Sequence, residues 1–529
     1  MKIYLVGPTG AGKTTIGQIV ASRLRLPFLD ADELIAVRAG KSIADIFARE
    51  GEQGFRHRER EAVRVIAELG SAVVALGGGA VLDPGVRELL GRSGRVVALE
   101  EDPDVLVERI RRSPRPGLPD PSHPAFAGEA RRAVCKRMDA ARGLGPAVTV
   151  TGLGPEEAAA RVLADLGAGL RRRPAPGSWE MGVRAGGVEC LVRGEPGGVA
   201  GARLEAPGRG ASALLVVSSP LPYSLYGARL VARWREQGRA VGVSLVPDGE
   251  GAKRSRWLRY LWETWARHRA DREAWVVAVG GGAVSDLAGL AAATYLRGIP
   301  WVVIPTTLLA QVDASLGGKV AIDLPRGKNL VGAFWQPRAV HVDVEVLGSL
   351  PPPQVRSGLA EVVKGAVLEG EDFLRLLEAQ VDRLLAADPD VLTEVVRRCL
   401  ALKGALVERD EREQGPRQLL NLGHTVGHAL ERETGWDHGR AVAVGLVAAC
   451  ELAGAGELAA RVRTLLLRLG LPVAMPARLA GRVERRMGWD KKVREGQPRF
   501  VLPHSPGEVS FGVAVETGRL REVLRRLEE

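Results

Sequence analysis

The sequence predicts an α/β protein: a parallel sheet with helices on both faces at the N-terminus, then a second α/β core of dinucleotide-binding type with a helical end. Three observations predict it. Strand-length apolar stretches alternate with amphipathic ones over residues 1–168. The alternation breaks in GAGLRRRPAPGSWEMG, Gly167–Gly182, which is rich in Gly, Pro and Arg, and then restarts. From about Pro351 the pattern turns mainly helical, as in VRSGLAEVVKGAVLEG and HGRAVAVGLVAACELAG. The 529 residues exceed what one core holds. The expected division is a domain over 1–168, a linker over 169–180, an α/β domain over 181–348 and a helical domain over 349–529, with two independent cores.

In chain order, KIYLVG, VVALGG and RVVALE read as buried strands of the first core. LLVVSS, AVGVSLVP, WVVAVGGG and WVVIPTT read as those of the second. The hydrophobic fraction, 46%, fits a globular chain, and no uncharged apolar run approaches the roughly 18 residues of a membrane span. Cys135, Cys190, Cys399 and Cys450 are scattered without a CxxC pair. That points to a reducing cytoplasm and away from a thiolate metal site. The net charge of +11 is mostly Arg, spread with only short runs such as Arg171-Arg172-Arg173. Aromatics are not interleaved with it, so nucleic acid is not the expected partner. Clefts for phosphates and carboxylates use the same cations.

The strongest short motif is Gly7-Pro-Thr-Gly-Ala-Gly12-Lys13-Thr14, a full GxxxxGK[ST] between a strand and a helix. Backbone amides of such a loop curl around nucleotide phosphates, and the helix N-terminus adds positive potential. Gly10, Ala11, Gly12, Lys13, Thr14 and Thr15 form the expected ATP cradle. Lys13 reaches the terminal phosphates, and the Thr14 hydroxyl helps hold Mg²⁺. The phosphoryl acceptor needs other groups. Asp30 and Asp32 follow the next strand, Gly51-Glu-Gln-Gly-Phe-Arg56 follows a helix with Glu59 one turn on, and Gly77-Gly78-Gly79 ends a strand. Arg115 lies in a Pro-rich loop and Arg142 beyond it. Arginines grip a carboxylate with two hydrogen bonds, and Asp32 can accept from a hydroxyl.

As a set, the DxD, the GEQxFR stretch and the triple glycine resemble shikimate kinase over nearly all of residues 1–168. The resemblance implies a P-loop kinase fold, Asp30 with Thr14 near Mg²⁺, and Asp32 on the shikimate hydroxyls as proton acceptor. It implies Arg56 and Arg142 on the carboxylate, Gly78 and Gly79 close to shikimate, and Arg115 in the lid. The segment Pro116–Gly128 is longer and richer in Pro than the usual lid, and Cys135 stands where the family has an aromatic residue.

In the second part, Trp275–Gly282 runs from a strand into a triple glycine and a helix start, with Asp286 in that helix. This offers close backbone approach to a pyrophosphate, although it is not GxGxxG. Asp248-Gly-Glu250-Gly-Ala-Lys253 offers a carboxylate to a ribose. Then come Pro305-Thr306-Thr307, Asp313, Gly317-Gly318-Lys319, Lys328-Asn329, Glu361 and Lys364 at helical (i, i+3) spacing, and Arg417-Gln-Leu-Leu-Asn421-Leu-Gly-His424-Thr-Val-Gly-His428. Three of the eight histidines fall between 424 and 438. His424 and His428 are one helical turn apart, so spacing alone nominates His424, His428 and His438 as ligands of one metal.

These segments resemble 3-dehydroquinate synthase across about residues 180–520. The resemblance corrects the ligand set: it implies zinc (or cobalt) on Glu361, His424 and His438, with His428 for acid/base or phosphate contact. Two imidazoles and a carboxylate leave a position open for substrate oxygens. It implies bound NAD over Asp248, Glu250, Lys253, Gly281, Gly282, Asp286, Thr306, Thr307, Asp313, Lys319 and Lys328. It also implies the phosphorylated seven-carbon acid DAHP held by Arg297, Lys319, Asn329, Lys364, Lys403, Arg417, Asn421, His428 and Lys491. Lys13, Asp32, Arg115, Asp313, Lys319 and His428 are the expected catalytic groups. The first strand of this half ends Val217-Ser218-Ser219, where the family carries Thr-Asn or Thr-Asp.

The expected protein is a bifunctional enzyme of aromatic precursor synthesis. Its small-molecule partners are shikimate, ATP and DAHP, and the expected assembly is a homodimer through the synthase part. The alternatives are another small-molecule kinase of the same fold, such as a gluconate-type kinase, fused to a metal-dependent polyol dehydrogenase, or one domain degenerated to a binding module.

Overall fold

The structure is a computed structural model and describes residues 1–114, 116–167, 177–487, 493–494 and 497–529. Arg115, Lys491, residue 168 and residues 169–176 of the expected linker lie outside the described residues.

The first part is a five-stranded parallel sheet. Its strands are β1 (Lys2–Val6), β2 (Phe28–Asp30), β3 (Ala72–Ala75), β4 (Arg95–Glu100) and β5 (Ala147–Thr149), in the order β2-β3-β1-β4-β5. β1 and β3 are buried at every residue, because helices cover both faces of the sheet. The phosphate loop leaves the C-terminal end of β1, and the helix Lys13–Leu24 starts behind it.

The second part starts with β6 (Trp179–Ala185) and β7 (Val188–Gly194), an antiparallel pair. β6 begins inside the stretch expected to be linker. Its buried positions, Val183 and Ala185, alternate with exposed ones, a short half-buried pattern that Gly182 and the preceding Pro and Gly residues mask. β8 (Leu214–Ser218), β9 (Val241–Leu245), β10 (Trp275–Gly280) and β11 (Trp301–Pro305) follow. The hairpin β12 (Lys319–Leu324) and β13 (Gly327–Phe334) stands apart, and β14 (Ala339–Val342) rejoins the main sheet. That sheet has seven strands in the order β6-β7-β14-β11-β10-β8-β9, parallel apart from β6.

The remainder is helical, as expected, except for a small antiparallel sheet of β15 (Val493–Arg494), β16 (Gln497–Ser505) and β17 (Glu508–Ala514). Four helices carry the site: Pro352–Glu369, Pro389–Arg409, His424–Thr434 and His438–Ala453. The last crosses two of the others at very short range, and glycine makes the crossing possible. A Cβ on Gly439 would lie 2.1 Å from the Ser357 carbonyl oxygen, and one on Gly445 would lie 1.9 Å from that of Gly423.

The two parts do not keep independent cores. One continuous apolar cluster includes Leu34, Ile35 and Leu69 of the first part together with Leu225, Tyr226, Leu347 and Leu350 of the second. Backbone bonds join them as well: the Gly70 and Ser71 amides donate to the carbonyls of Ser349 (2.9 Å) and Gly348 (2.6 Å). Among the described residues, no helix is long and apolar enough to cross a membrane.

Gly445→Ala should therefore destabilise the helical part by about 1–3 kcal/mol through overpacking, although alanine is the better helix former by about 1 kcal/mol. Denaturant unfolding followed by circular dichroism measures this; an unchanged midpoint would mean that the crossing relaxes freely.

Candidate active sites

The phosphate loop has the backbone its glycines require. Gly7, Gly10 and Gly12 all have positive φ, at 138°, 90° and 82°. Lys13 lies buried under the loop, and its Nζ donates to the carbonyls of Gly7 (2.9 Å) and Pro8 (2.8 Å). Burial pulls its ammonium down to about 8, while Asp32 and Asp30 pull it back up. Thr14 Oγ1 donates to Asp30 Oδ2 at 2.7 Å. Asp30 also caps the helix Ala31–Ala39, accepting from the amides of Asp32 (3.0 Å) and Glu33 (3.4 Å). Thr14 and Asp30 thus form an all-oxygen pair beside the loop, the donor type that suits Mg²⁺. Gly10 and Ala11 belong to the same loop, and Thr15 is exposed on the first helical turn.

A second group of charged side chains gathers beside the loop. Around Gly77–Gly79, a Cβ on Gly77 would lie 2.8 Å from Asp32 Oδ1 and from Glu59 Oε1, and one on Gly79 would lie 2.5 Å from Arg56 Nη2. Bare backbone here lets Asp32, Glu59 and Arg56 converge. A Cβ on Gly78 would strike Thr9 at 2.4 Å from Oγ1. Arg56 pairs with Glu59 at 2.7 Å and Glu52 at 3.2 Å. Burial raises the Glu59 carboxyl, and Arg56 pulls it back.

The second arginine here is Arg137, not the expected Arg142. Arg142 is half exposed and pairs with Glu100 and Asp139. Arg137 is buried, donates to Thr9 Oγ1 (3.2 Å) and the Gly117 carbonyl (3.2 Å), and has its basicity lowered first by burial and then by Arg56. The helix Phe126–Arg142 explains the difference. Its buried face runs Phe126, Ala130, Val134, Arg137, Met138, Ala141, so Arg137 interrupts an apolar stripe while Arg142 steps off it. A charged residue at a core position was the signal available in the sequence.

In the second part, Glu361 is 2% exposed on the helix Pro352–Glu369. Its Oε1 lies 3.1 Å from His438 Nε2 and 3.5 Å from His424 Nε2. All three donor atoms fall within 4.8 Å of one another. His424 Nδ1 lies 3.0 Å from the Leu422 carbonyl and His438 Nδ1 lies 3.5 Å from Glu431, so in both rings the second nitrogen has an acceptor and Nε2 can face a metal. Burial works against a charge on His438, yet Glu361 and Glu431 push it up to about 10. The same negative field favours a divalent cation, and this donor set fits zinc. His428 groups instead with Glu431 and His438.

Cations ring this cluster. Lys364 pairs with Glu361 one turn along the same helix, and Lys403 of the helix Pro389–Arg409 pairs with the Asp313 carboxylate and donates to its carbonyl at 2.6 Å. Burial would raise Asp313, but Lys403 and Lys364 outweigh it and hold that carboxyl far below its usual range. Arg417 is 1% exposed, with Nη2 on the Gly317 carbonyl at 2.9 Å and Nη1 on that of Glu411. Lys319 pairs with Glu413, which also accepts from Asn421 Nδ2 at 2.6 Å. Glu413 escaped notice because an isolated glutamate on a polar segment carries no spacing signal, whereas Glu431 stands at (i, i+3) from His428 on the same helix, a signal that was available.

The expected dinucleotide residues lie around β10 and the hairpin. Gly281 caps the helix Gly282–Thr294, and Asp286 in it accepts from Lys253 Nζ at 2.6 Å. Lys253 also donates to the Asn329 side chain. Burial raises the Glu250 carboxyl against the pull of Lys253. Asp248 caps the short turn Gly249–Ala252. Thr306 is buried with its amide on Gly280 (2.9 Å), and Thr307 Oγ1 accepts from the Ala310 amide (3.2 Å). Lys328 lies 3.7 Å from Glu431, which links the hairpin to the histidine cluster. Arg297 stands exposed at the end of the turn Tyr295–Arg297.

Comparison with known proteins follows the same division. The sequence profile of shikimate kinase matches residues 9–165. Those of the N-terminal and C-terminal parts of 3-dehydroquinate synthase match residues 243–357 and 358–493. The 3-dehydroquinate synthase of Pelobacter propionicus is 44% identical over 330 residues, 61% of this chain and 88% of that protein. That of Symbiobacterium thermophilum is 46% identical over 326 residues, 59% of this chain and 91% of that protein. Among solved structures, the 2-epi-5-epi-valiolone synthase ValA of Streptomyces hygroscopicus, with NAD⁺ and Zn²⁺ bound, is similar at 26% identity and a TM-score of 0.59, over 64% of this chain and 96% of that one.

Glu361→Ala and His424→Ala should each cut the zinc content of purified protein to well below that of the unmodified chain, whereas His428→Ala should keep it. Metal analysis by mass spectrometry checks this, and equal zinc in all three variants would contradict the grouping.

Proposed function

Because this chain belongs to the 3-dehydroquinate synthase family and, through its first third, to the shikimate kinase family, we propose that it phosphorylates shikimate with ATP at one site and converts DAHP to 3-dehydroquinate with release of phosphate at another. The observation that carries the reading is the convergence of Glu361, His424 and His438 beside the Asp313–Lys403 and Glu361–Lys364 pairs. The domain division proposed is the one read from the sequence, except that the linker ends before β6 at Trp179 and not at residue 180. The four cysteines are free, which supports a reducing, cytoplasmic setting. A homodimer through the synthase part remains the proposed assembly.

At the first site the loop amides from Gly10 to Thr15 and Lys13 would hold the ATP phosphates, with Thr14 and Asp30 on Mg²⁺. Arg56 and Arg137 would take the shikimate carboxylate, and Asp32 would accept the proton of the attacking hydroxyl. At the second site Glu361, His424 and His438 would hold zinc, and the residues between Asp248 and Lys328 would hold NAD. When bound, zinc lowers the pKa of a substrate hydroxyl and NAD takes up and returns a hydride. Lys319, Lys364, Lys403 and Arg417 would balance the substrate's phosphate and carboxylate. Asn329 and Asn421 would add neutral hydrogen bonds, and His428 would carry a proton at the leaving phosphate. Glu413 positions Lys319 and Asn421.

The test is an assay of the purified full chain. With DAHP, NAD and zinc, phosphate should be released while absorbance at 340 nm stays flat; steady NADH accumulation would indicate a polyol dehydrogenase instead. With ATP, shikimate should be phosphorylated and gluconate should not. Arg137→Ala should raise the KM for shikimate by about 10- to 100-fold, the loss of a charge-assisted pair. Arg142→Ala should leave the KM within about twofold, as expected of a half-exposed pair; the reverse ranking would restore Arg142 to the carboxylate.

A further inference from the structure

Arg137 is anchored differently from its neighbour Arg56. Arg56 is gripped by the carboxylates of Glu59 and Glu52. Among the described residues, the hydrogen bonds that Arg137 donates go to neutral oxygens: Nη1 to Thr9 Oγ1 and Nη2 to the Gly117 carbonyl, both at 3.2 Å. Neutral anchors leave its charge uncompensated at hydrogen-bond range. Each bond takes one hydrogen of one terminal nitrogen, so each nitrogen keeps a second, and a carboxylate can accept from both. The like charge of Arg56 works against Arg137, so the guanidinium needs anchors to stay where it is.

Thr9 is a firm anchor because the chain is held on both sides of it. The Pro8 carbonyl accepts from Lys13 Nζ (2.8 Å), and the Gly10 carbonyl accepts from Arg109 Nη1 (2.7 Å). Gly78 packs directly on Thr9. A Cβ there would lie 2.4 Å from Thr9 Oγ1 and 2.7 Å from the Thr9 amide nitrogen, so the bare backbone of Gly78 leaves room for the hydroxyl that Arg137 reaches. The GxxxxGK[ST] pattern leaves position 9 open, so the phosphate loop itself does not call for a hydroxyl at this point.

We propose that Thr9 is a positioning residue of the kinase site. Its hydroxyl sets the orientation of the Arg137 guanidinium for the carboxylate of the phosphoryl acceptor, and it ties that arginine to the loop that would hold the nucleotide. Thr9 acts through Arg137 and not on the acceptor itself. The inference rests on the reading of Arg137 as the ligand of the shikimate carboxylate.

Steady-state kinetics of the purified full chain with shikimate and ATP test it. Thr9→Val keeps the branched shape and removes the hydroxyl. It should raise the KM for shikimate by about 3- to 10-fold, the loss of one orienting hydrogen bond, while the KM for ATP stays within about twofold. Thr9→Ser should restore the unmodified KM for shikimate. In an Arg137→Ala background, Thr9→Val should change that KM by less than about twofold, because the hydroxyl then has no guanidinium to orient. An unchanged shikimate KM in Thr9→Val, a parallel rise in the KM for ATP, or an equal loss with and without Arg137 would each overturn the proposal. An unmodified chain that fails to phosphorylate shikimate would remove the kinase reading and the proposal together. An active unmodified chain that does not respond to Thr9→Val would remove the proposal alone.

Discussion

The buried charge of Glu361 is the constraint from which the second site follows. A carboxylate at 2% exposure is costly, and burial alone would drive it to the neutral form. Lys364, one turn along the same helix, and the two imidazoles reverse that and keep it ionised. Lys364 is local, but the two imidazoles arrive from other stretches of chain, so the full set of partners assembles only once the helices Pro352–Glu369, His424–Thr434 and His438–Ala453 are packed together. Breaking such a buried pair by removing one member typically costs about 3–5 kcal/mol. The close approach at Gly439 and Gly445 is thus part of the electrostatics as well as the packing.

Charge balance then explains the rest of the cluster. Glu361 with Lys364 and Asp313 with Lys403 are two internally compensated pairs. They leave the site close to neutral before anything binds. Lys319 with Glu413 is a third such pair, so a divalent cation and Arg417, which is held by backbone carbonyls, would supply the added positive charge for the anionic substrate proposed above. Lys319 and Arg417 are themselves held by Glu413 and by backbone carbonyls, so they arrive at the site already aimed. Little side-chain freedom is left to lose on binding, the physical meaning of preorganisation.

Legibility in the sequence followed the range of the interaction. The phosphate loop was fully legible because its chemistry is local: glycines at fixed offsets, a lysine and a threonine between a strand and a helix. The strand ends at Asp30, Gly77 and Gly280 were legible for the same reason. The histidine spacing was legible but incomplete, since His428 groups with Glu431 and His438, while His424 and His438 group with Glu361. Only the remote Glu361 completes the other trio, and no spacing within 424–438 could reveal it. Arg137, which lies near Arg56, was not nominated, although its place in an apolar stripe was visible. β6, the hairpin β12–β13 and β16–β17 were missed; β6, β13 and β17 are largely exposed or half-exposed, so no buried apolar run marks them. The seam between the halves was beyond reach altogether, as it depends on surfaces that only the folded parts possess.

The seam also shows why a fused chain behaves differently from two enzymes on a tether. A flexible linker alone would raise the effective concentration of one half near the other and do nothing more. Here the apolar cluster is continuous across the boundary, and two backbone amides of the first half find their acceptors in the second. Undocking would expose the apolar surface around Leu225, Leu347 and Leu350 and strand the Gly70 and Ser71 amides in whatever interface remained. Both costs fall on the same event, so the docked arrangement is favoured as a unit. Arg229 is fixed by carbonyls of its own half and pulls on the Glu33 carboxyl of the other, so its position relative to Glu33 is only as constant as that docking. In this sense the packing of the second half reaches the Glu33 carboxyl beside the phosphate loop, even though no residue of that loop belongs to it.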